Sequence, residues 1–294
     1  VRQIIKISLL ACFGLLNHDL SAQSDSLGTA PADSAAVTTS DPEPEFSSGL
    51  YGSSLRIING QSTVLLEKGS LEFCIQHRFG QLSNGYYGAW GFDQSNIRIG
   101  FDYGVMPFLT AGVGRSGMGK TANGYLKWAL ARQEKNKKFS MSLLNDMAYI
   151  FEKNTSGLEP WYNTHRINYT HQLILSRTYN GKHMLQIAPT IVHRNLVDSI
   201  ADANTVPLLA FSGRYKISNR ISLTAEYTLL LNERLNKQIQ PSAGLGLEFW
   251  TGGHVFQITC TNANALNEPR YLTGENGNIR NGDFRLGFNI VRRW

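Results

Sequence analysis

Residues 283–294 read DFRLGFNIVRRW. On an extended chain Phe284, Leu286, Phe288 and Ile290 fall on one side and Asp283, Arg285, Gly287 and Asn289 on the other, because successive strand side chains point to opposite faces. The chain ends on an aromatic residue, Trp294, in phase with the apolar row. That is the form of the closing strand of an outer-membrane β-barrel. It sets a demand on the rest of the chain: the pattern must recur an even number of times, with short turns at one end and longer loops at the other.

Twelve segments meet the demand: 71–79, 96–103, 108–115, 125–130, 139–149, 166–176, 184–192, 208–217, 221–229, 242–249, 254–261 and 283–290. Their lengths approach the ~9–11 residues a tilted membrane strand needs. In the first, Leu71, Phe73, Ile75 and Phe79 alternate with Glu72, Cys74, Gln76 and Arg78; the third is Gly-rich and weaker. The links after the even-numbered segments are short (GVMP, QEKNKK, TYNGK, SNR and TGG), whereas those after the first, fifth, seventh and eleventh are long and that after the ninth is intermediate. Only the link after the third segment is ambiguous. The even count places both termini on the periplasmic side. Tyr103, Tyr215, Phe249 and Trp294 fall on the apolar face near that end, as a lower interfacial girdle requires. The fold expected is all-β, a single antiparallel transmembrane β-barrel of about twelve strands.

Composition alone does not reveal this. Hydrophobic content is 42% and mean hydropathy is -0.22, and beyond the N-terminus no apolar run approaches the ~20 residues of a spanning helix. Lipid-facing and lumen-facing residues average out in a barrel, so only periodicity can speak. Three organisational units are expected. Residues 1–22 carry Arg2 and Lys6 ahead of the apolar ISLLACFGLL and read as a signal peptide. Residues 23–45 are rich in Ser, Ala, Thr, Pro and Asp and read as a disordered acidic periplasmic linker. Residues 46–294 hold the barrel. The whole chain has a formal charge of +6, and without its first 45 residues the charge is +10. An exported basic chain meets anionic headgroups or solutes rather than nucleic acid. Cys74 and Cys260 fall on opposite faces of the wall, so no disulfide between them is expected.

The segments RIINGQS (56–62), EKGSLEFCIQHRFG (67–80), IRIGFDYG (97–104), PTIVHRNL (189–196), TGGHVFQ (251–257) and GDFRLGFNI (282–290) resemble a Bacteroidota family of outer-membrane β-barrel proteins catalogued as a domain of unknown function. The resemblance spans residues 50–294. It implies the fold and an outer-membrane location in a Gram-negative bacterium, with no catalytic residues to carry over. One departure stands out: Arg292 lies two before the last residue, where the assembly signal of such barrels prefers an apolar side chain.

Chemistry-bearing motifs are few. GRSGMGKT, 114–121, matches the phosphate-loop pattern, but that loop needs a strand before it and a helix after it. TANG is a turn-like start for a helix, so the stretch reads as a glycine-rich external turn. His165 and His171 share a strand face about 20 Å apart, too far for one metal. His193, Asp198 and Ser199 share a loop but lack the His-x-Ser spacing of the twelve-stranded outer-membrane phospholipases. No enzyme activity, metal or cofactor is expected. The candidate functional residues are the polar-face charges that parity aims into the lumen: Glu72, Arg78, Arg98, Asp102, Lys127, Arg214, Lys216, Glu226, Glu248 and Arg285. In a wide lumen they line a mildly anion-favouring path; in a narrow one they pair and close it. Residues 50–68 precede the first strand as either a lumenal plug or a periplasmic cap. The function expected is passive passage or binding of small, anionic solutes. The alternatives are a closed structural or partner-docking barrel and, third, an outer-membrane hydrolase. The partners expected are outer-membrane lipids, the barrel-assembly machinery and a small solute.

Overall fold

The computed structural model describes residues 54–134, 137–153, 161–197, 202–231, 239–274 and 276–294. The expected signal peptide and linker lie outside the described residues, as do Asp198 and Ser199. Among the described residues, twelve strands follow in order: β1 Leu71–Gln81, β2 Ser95–Met106, β3 Leu109–Ser116, β4 Thr121–Ala131, β5 Ser140–Ile150, β6 Ile167–Tyr179, β7 His183–Arg194, β8 Thr205–Lys216, β9 Ile221–Leu230, β10 Ala243–Thr251, β11 His254–Thr261 and β12 Arg285–Arg293. Each pairs antiparallel with the next, and β12 pairs back to β1, closing the barrel. Closure leaves no strand edge unpaired. At the seam Glu72 lies opposite Arg293, whose guanidinium reaches its carboxylate at 2.5 Å.

The alternation read from the sequence is the alternation of the wall. Ile97, Ile99, Phe101 and Tyr103 of β2 are exposed on the outer face, while Asn96, Arg98 and Asp102 are buried inside. Tyr103, Tyr215 and Trp294 are exposed on the outer face at one end of the barrel, the terminal end, where Leu71 and Trp294 bond to each other. Arg292 belongs to the same outer row: it bonds the His254 ring at 2.9 Å and lies over the Trp294 ring. Its charge is thus covered by two rings at the rim of the wall, which accounts for its departure from the assembly signal. Cys74 is buried inside, and Cys260 lies on the opposite face.

The turns at the terminal end are tight. Between β6 and β7, Asn180 and Gly181 both adopt positive φ (50° and 62°), and Lys182 donates its N–H to the Tyr179 carbonyl at 3.0 Å. Both central residues at positive φ match the twist of a hairpin, and Asn-Gly tolerates it best. β6 runs three residues past the alternating segment, to Tyr179, because Arg177 on the outer row lies over the Phe139 and Tyr179 rings. A guanidinium on aromatic faces breaks the apolar pattern without breaking the strand. The ambiguous link after β3 is short, with Gly119 at φ 60° and Lys120 at φ 47°. It is the exception to the long loops of the far end.

Residues 54–66 do not cap the barrel; they enter it. RIINGQ folds back on itself: Arg56 bridges Gln61, and Ile57 N–H donates to the Gly60 carbonyl at 2.8 Å. Leu55, Ile57, Ile58 and Leu66 are buried. The strap leaves along β2, where Gly69 N–H donates to the Gly104 carbonyl at 2.8 Å. A Cβ at Gly104 would overlap the Glu67 carbonyl oxygen, a backbone atom. Gly104→Ala is therefore expected to lower barrel stability by about 1–3 kcal/mol, the usual cost of overpacking. Thermal unfolding in detergent, followed by circular dichroism, reads this; an unchanged midpoint would show that the strap leaves by another route.

Candidate functional site

All ten charged residues expected to face the lumen stand on the inner row of their strands. Some partner one another or the wall. Arg214 reaches Glu248 at 3.0 Å, and Gln257 donates to the same carboxylate at 2.8 Å. Tyr125 donates its hydroxyl to Asp102 at 2.6 Å. Arg98 donates to Asn123 and Gln76, each at 3.2 Å. Its guanidinium occupies the space that a Cβ at Gly100 or Gly114 would fill. Here glycine admits a long cation where two side chains would exclude it.

The others hold the strap. Glu226 accepts the N–H of Asn59 at 3.0 Å and of Gly60 at 3.1 Å. Arg78 donates to the Asn59 side chain at 3.0 Å, and Lys127 to the Gln61 side chain at 3.0 Å and the Ser62 carbonyl at 3.2 Å. Uncharged inner residues do the same. Asn289 donates to the Ile58 carbonyl at 3.0 Å, Gln257 to that of Ile57 at 3.0 Å, and Gln186 to that of Gln61 at 2.8 Å. A peptide without sheet partners needs such donors, since unmet buried carbonyls and amides each cost about 1–3 kcal/mol. The polar inner face therefore serves the strap's backbone as a secondary-structure ladder would. Lys216 and Arg285 stand apart from the strap, one near each end of the barrel.

A second element enters from the far end. The β11–β12 connection carries a short helix, α1 Glu268–Thr273, capped by Asn267, whose side chain accepts the Arg270 N–H at 3.2 Å. Tyr271 and Leu272 pack with Val192 and Leu208 of the inner wall. Strap and loop meet in a buried ion pair, Arg56 to Glu268 at 2.6 Å. Burial by itself would push the Glu268 carboxyl up. Arg56 and Arg98, with the hydrogen bond from Arg56, outweigh it and hold the group below its ordinary carboxylate range. The two inserted elements are thus joined to each other as well as to the wall.

The motifs with catalytic overtones resolve into structure. GRSGMGKT is the end of β3, a tight turn and the start of β4, with no helix after it. His171 bonds Asn145 on the outer face at 2.5 Å, and His165 packs on Trp161 and Tyr162. His193 bonds Thr205 at 2.9 Å. Parity did not name Arg56, Asn59, Gln61, Arg194, Glu268 and Arg270. Arg194 was within reach of the rule, being one step beyond Val192 on the inner row of β7. The others sit on irregular backbone, where no period exists to read.

A sequence family described as membrane bound beta barrel domain (DUF5777) matches residues 53–294. Among solved structures, the chain is similar to the NanC porin, with a TM-score of 0.50 and 10% identity over 76% of this chain and 98% of that one. The KdgM porin gives a TM-score of 0.44 at 9% identity, covering 76% of this chain and 98% of the porin. An outer membrane channel from Pseudomonas putida F1 gives 0.44 at 12% identity, covering 79% and 97%. At these identities the likeness speaks to the fold. No curated protein sequence matches the chain.

Proposed function

The chain belongs to the membrane bound beta barrel family that matches residues 53–294, and on that premise we propose that it is a plugged outer-membrane barrel for small anionic solutes. It binds them, and it passes them passively once the strap is displaced. In this reading the terminal end, with its short turns, faces the periplasm, and the far end with the β11–β12 loop faces outward. No catalytic step enters it.

The observation that carries the reading is how the lumen is filled. A barrel of about eight strands is narrow enough to fill its interior with its own wall side chains. Here the polar inner wall instead bonds a separate peptide, residues 54–66, joined to β1 by only a short turn. Removing that peptide leaves a wall lined by Arg78, Lys127, Gln186, Gln257 and Asn289, groups that water satisfies equally well. The ten charged inner residues read from the sequence number six bases and four acids; with Arg194, Arg293 and Asp146, which share the inner rows, the described strands carry eight bases and five acids, a balance that favours anions. The closed docking barrel remains the second reading, because the buried pairs Arg56–Glu268 and Arg214–Glu248 tie the interior together.

Deleting residues 54–66 and recording the refolded barrel in a planar bilayer under a salt gradient separates the two. The intact chain is expected to be silent or to open rarely. The deleted barrel is expected to give steady ohmic steps with a reversal potential on the anion side. Silence from a deleted barrel shown to be inserted would rule out the plugged channel in favour of the docking barrel.

A further inference from the structure

At the far end of the barrel, between the wall and the inserted β11–β12 loop, lies a cavity of about 580 Å³. That is within the ~300–1,000 Å³ typical of small-molecule sites. Among the described residues, Arg194, Arg270 and Arg285 line it, with one acid, Glu152, and the amides Asn168, Asn264 and Asn276. The three arginines come from different elements: the end of β7, helix α1 and the start of β12. Three separate segments therefore bring guanidinium groups to one cavity. Two details bear on how they are held. Gly119, at positive φ, lends Arg270 its place, because a Cβ there would overlap the guanidinium. Arg285 has its Nε buried with no hydrogen-bond partner among the described residues.

We infer that this cavity is a binding site for a small organic oxyanion carrying more than one charge, whether carboxylate or phosphate. Guanidinium groups match both in geometry, offering paired N–H donors to paired oxygens. The inference rests on the anion-selective reading above and adds to it a named site at the outer mouth, before the strap is reached.

Titration calorimetry on the intact, detergent-folded chain tests it, with citrate and glucose 6-phosphate as probes and glucose as the neutral control. One or both anions are expected to bind and glucose not to; which one binds separates carboxylate from phosphate. Arg285→Gln is expected to weaken binding by about tenfold or more, as losing a charge-assisted hydrogen bond does. Glu152→Gln is expected to tighten it, a change that a merely disturbed fold would not produce. Anions that bind no better than glucose, or binding unmoved by both substitutions, would overturn the site. The strap-deletion recordings are read independently: steady steps there with no citrate or phosphate binding here would reject only the site, and the reverse would reject only the plug.

Discussion

A barrel carrying Phe101→Asp is expected to fail at insertion, while one carrying Arg98→Ser assembles at the level of the parent chain. The two positions are three residues apart on β2 and stand on opposite faces of the wall. Phe101 is exposed on the outer row and lies beside Phe73, the rings tilted with centroids 5.0 Å apart. Its loss removes about 1.5–3 kcal/mol of apolar transfer. The carboxylate adds a further cost, smaller than the about 2–4 kcal/mol that a basic residue meets on the lipid face at the bilayer midplane. Arg98 points inward, and its removal leaves Asn123 and Gln76 to be met by water in a polar interior. Reconstitution into vesicles, followed by flotation and a heat-shift gel, reads the inserted fraction. Equal insertion of the two variants would refute the facing of β2.

Glu268→Ala is expected to loosen the plug without unfolding the wall. It strands the Arg56 guanidinium in a buried site, and breaking such a pair from one side costs about 3–5 kcal/mol. The double variant Arg56→Met with Glu268→Leu removes both charges, and replacements of this kind are often neutral or stabilising. Bilayer recordings should show frequent openings for Glu268→Ala and parent-like silence for the pair. Matching behaviour of single and double variants would mean that the ion pair does not latch the strap. The same latch sets a pH dependence. A carboxyl held below its ordinary value contributes stability above its unfolded pKa and loses it as pH falls through the lowered folded value. The plug is therefore held at neutral pH and weakened only in acid below the usual carboxylate range.

The wall was legible in the sequence because its determinant is local. Two-residue alternation fixes which side chains face out, so Phe101 and Arg98 could be assigned from neighbours alone. Strand limits were less exact. β12 starts at Arg285 rather than at Asp283, because the Asp283 carboxylate is engaged by Asn278 N–H at 3.1 Å and Ser83 at 3.2 Å. Loop length marked the terminal end, and its one exception, the link after β3, depended on the two adjacent positive-φ residues Gly119 and Lys120.

By itself, then, the amino-acid order determined a basic, twelve-stranded barrel, its inner charges and its outer apolar row. Tertiary structure alone decided what those inner charges do. Glu226, Arg78 and Lys127 are lumen-facing by parity, but that they grip residues 59–62 depends on a peptide folded back through a closed wall. Arg194, Arg270 and Arg285 come from three separate elements and line one cavity because α1 is inserted into the mouth. Periodicity is a property of neighbours in sequence, whereas a plug and a mouth are made by neighbours across the lumen, and barrel closure is what brings those together.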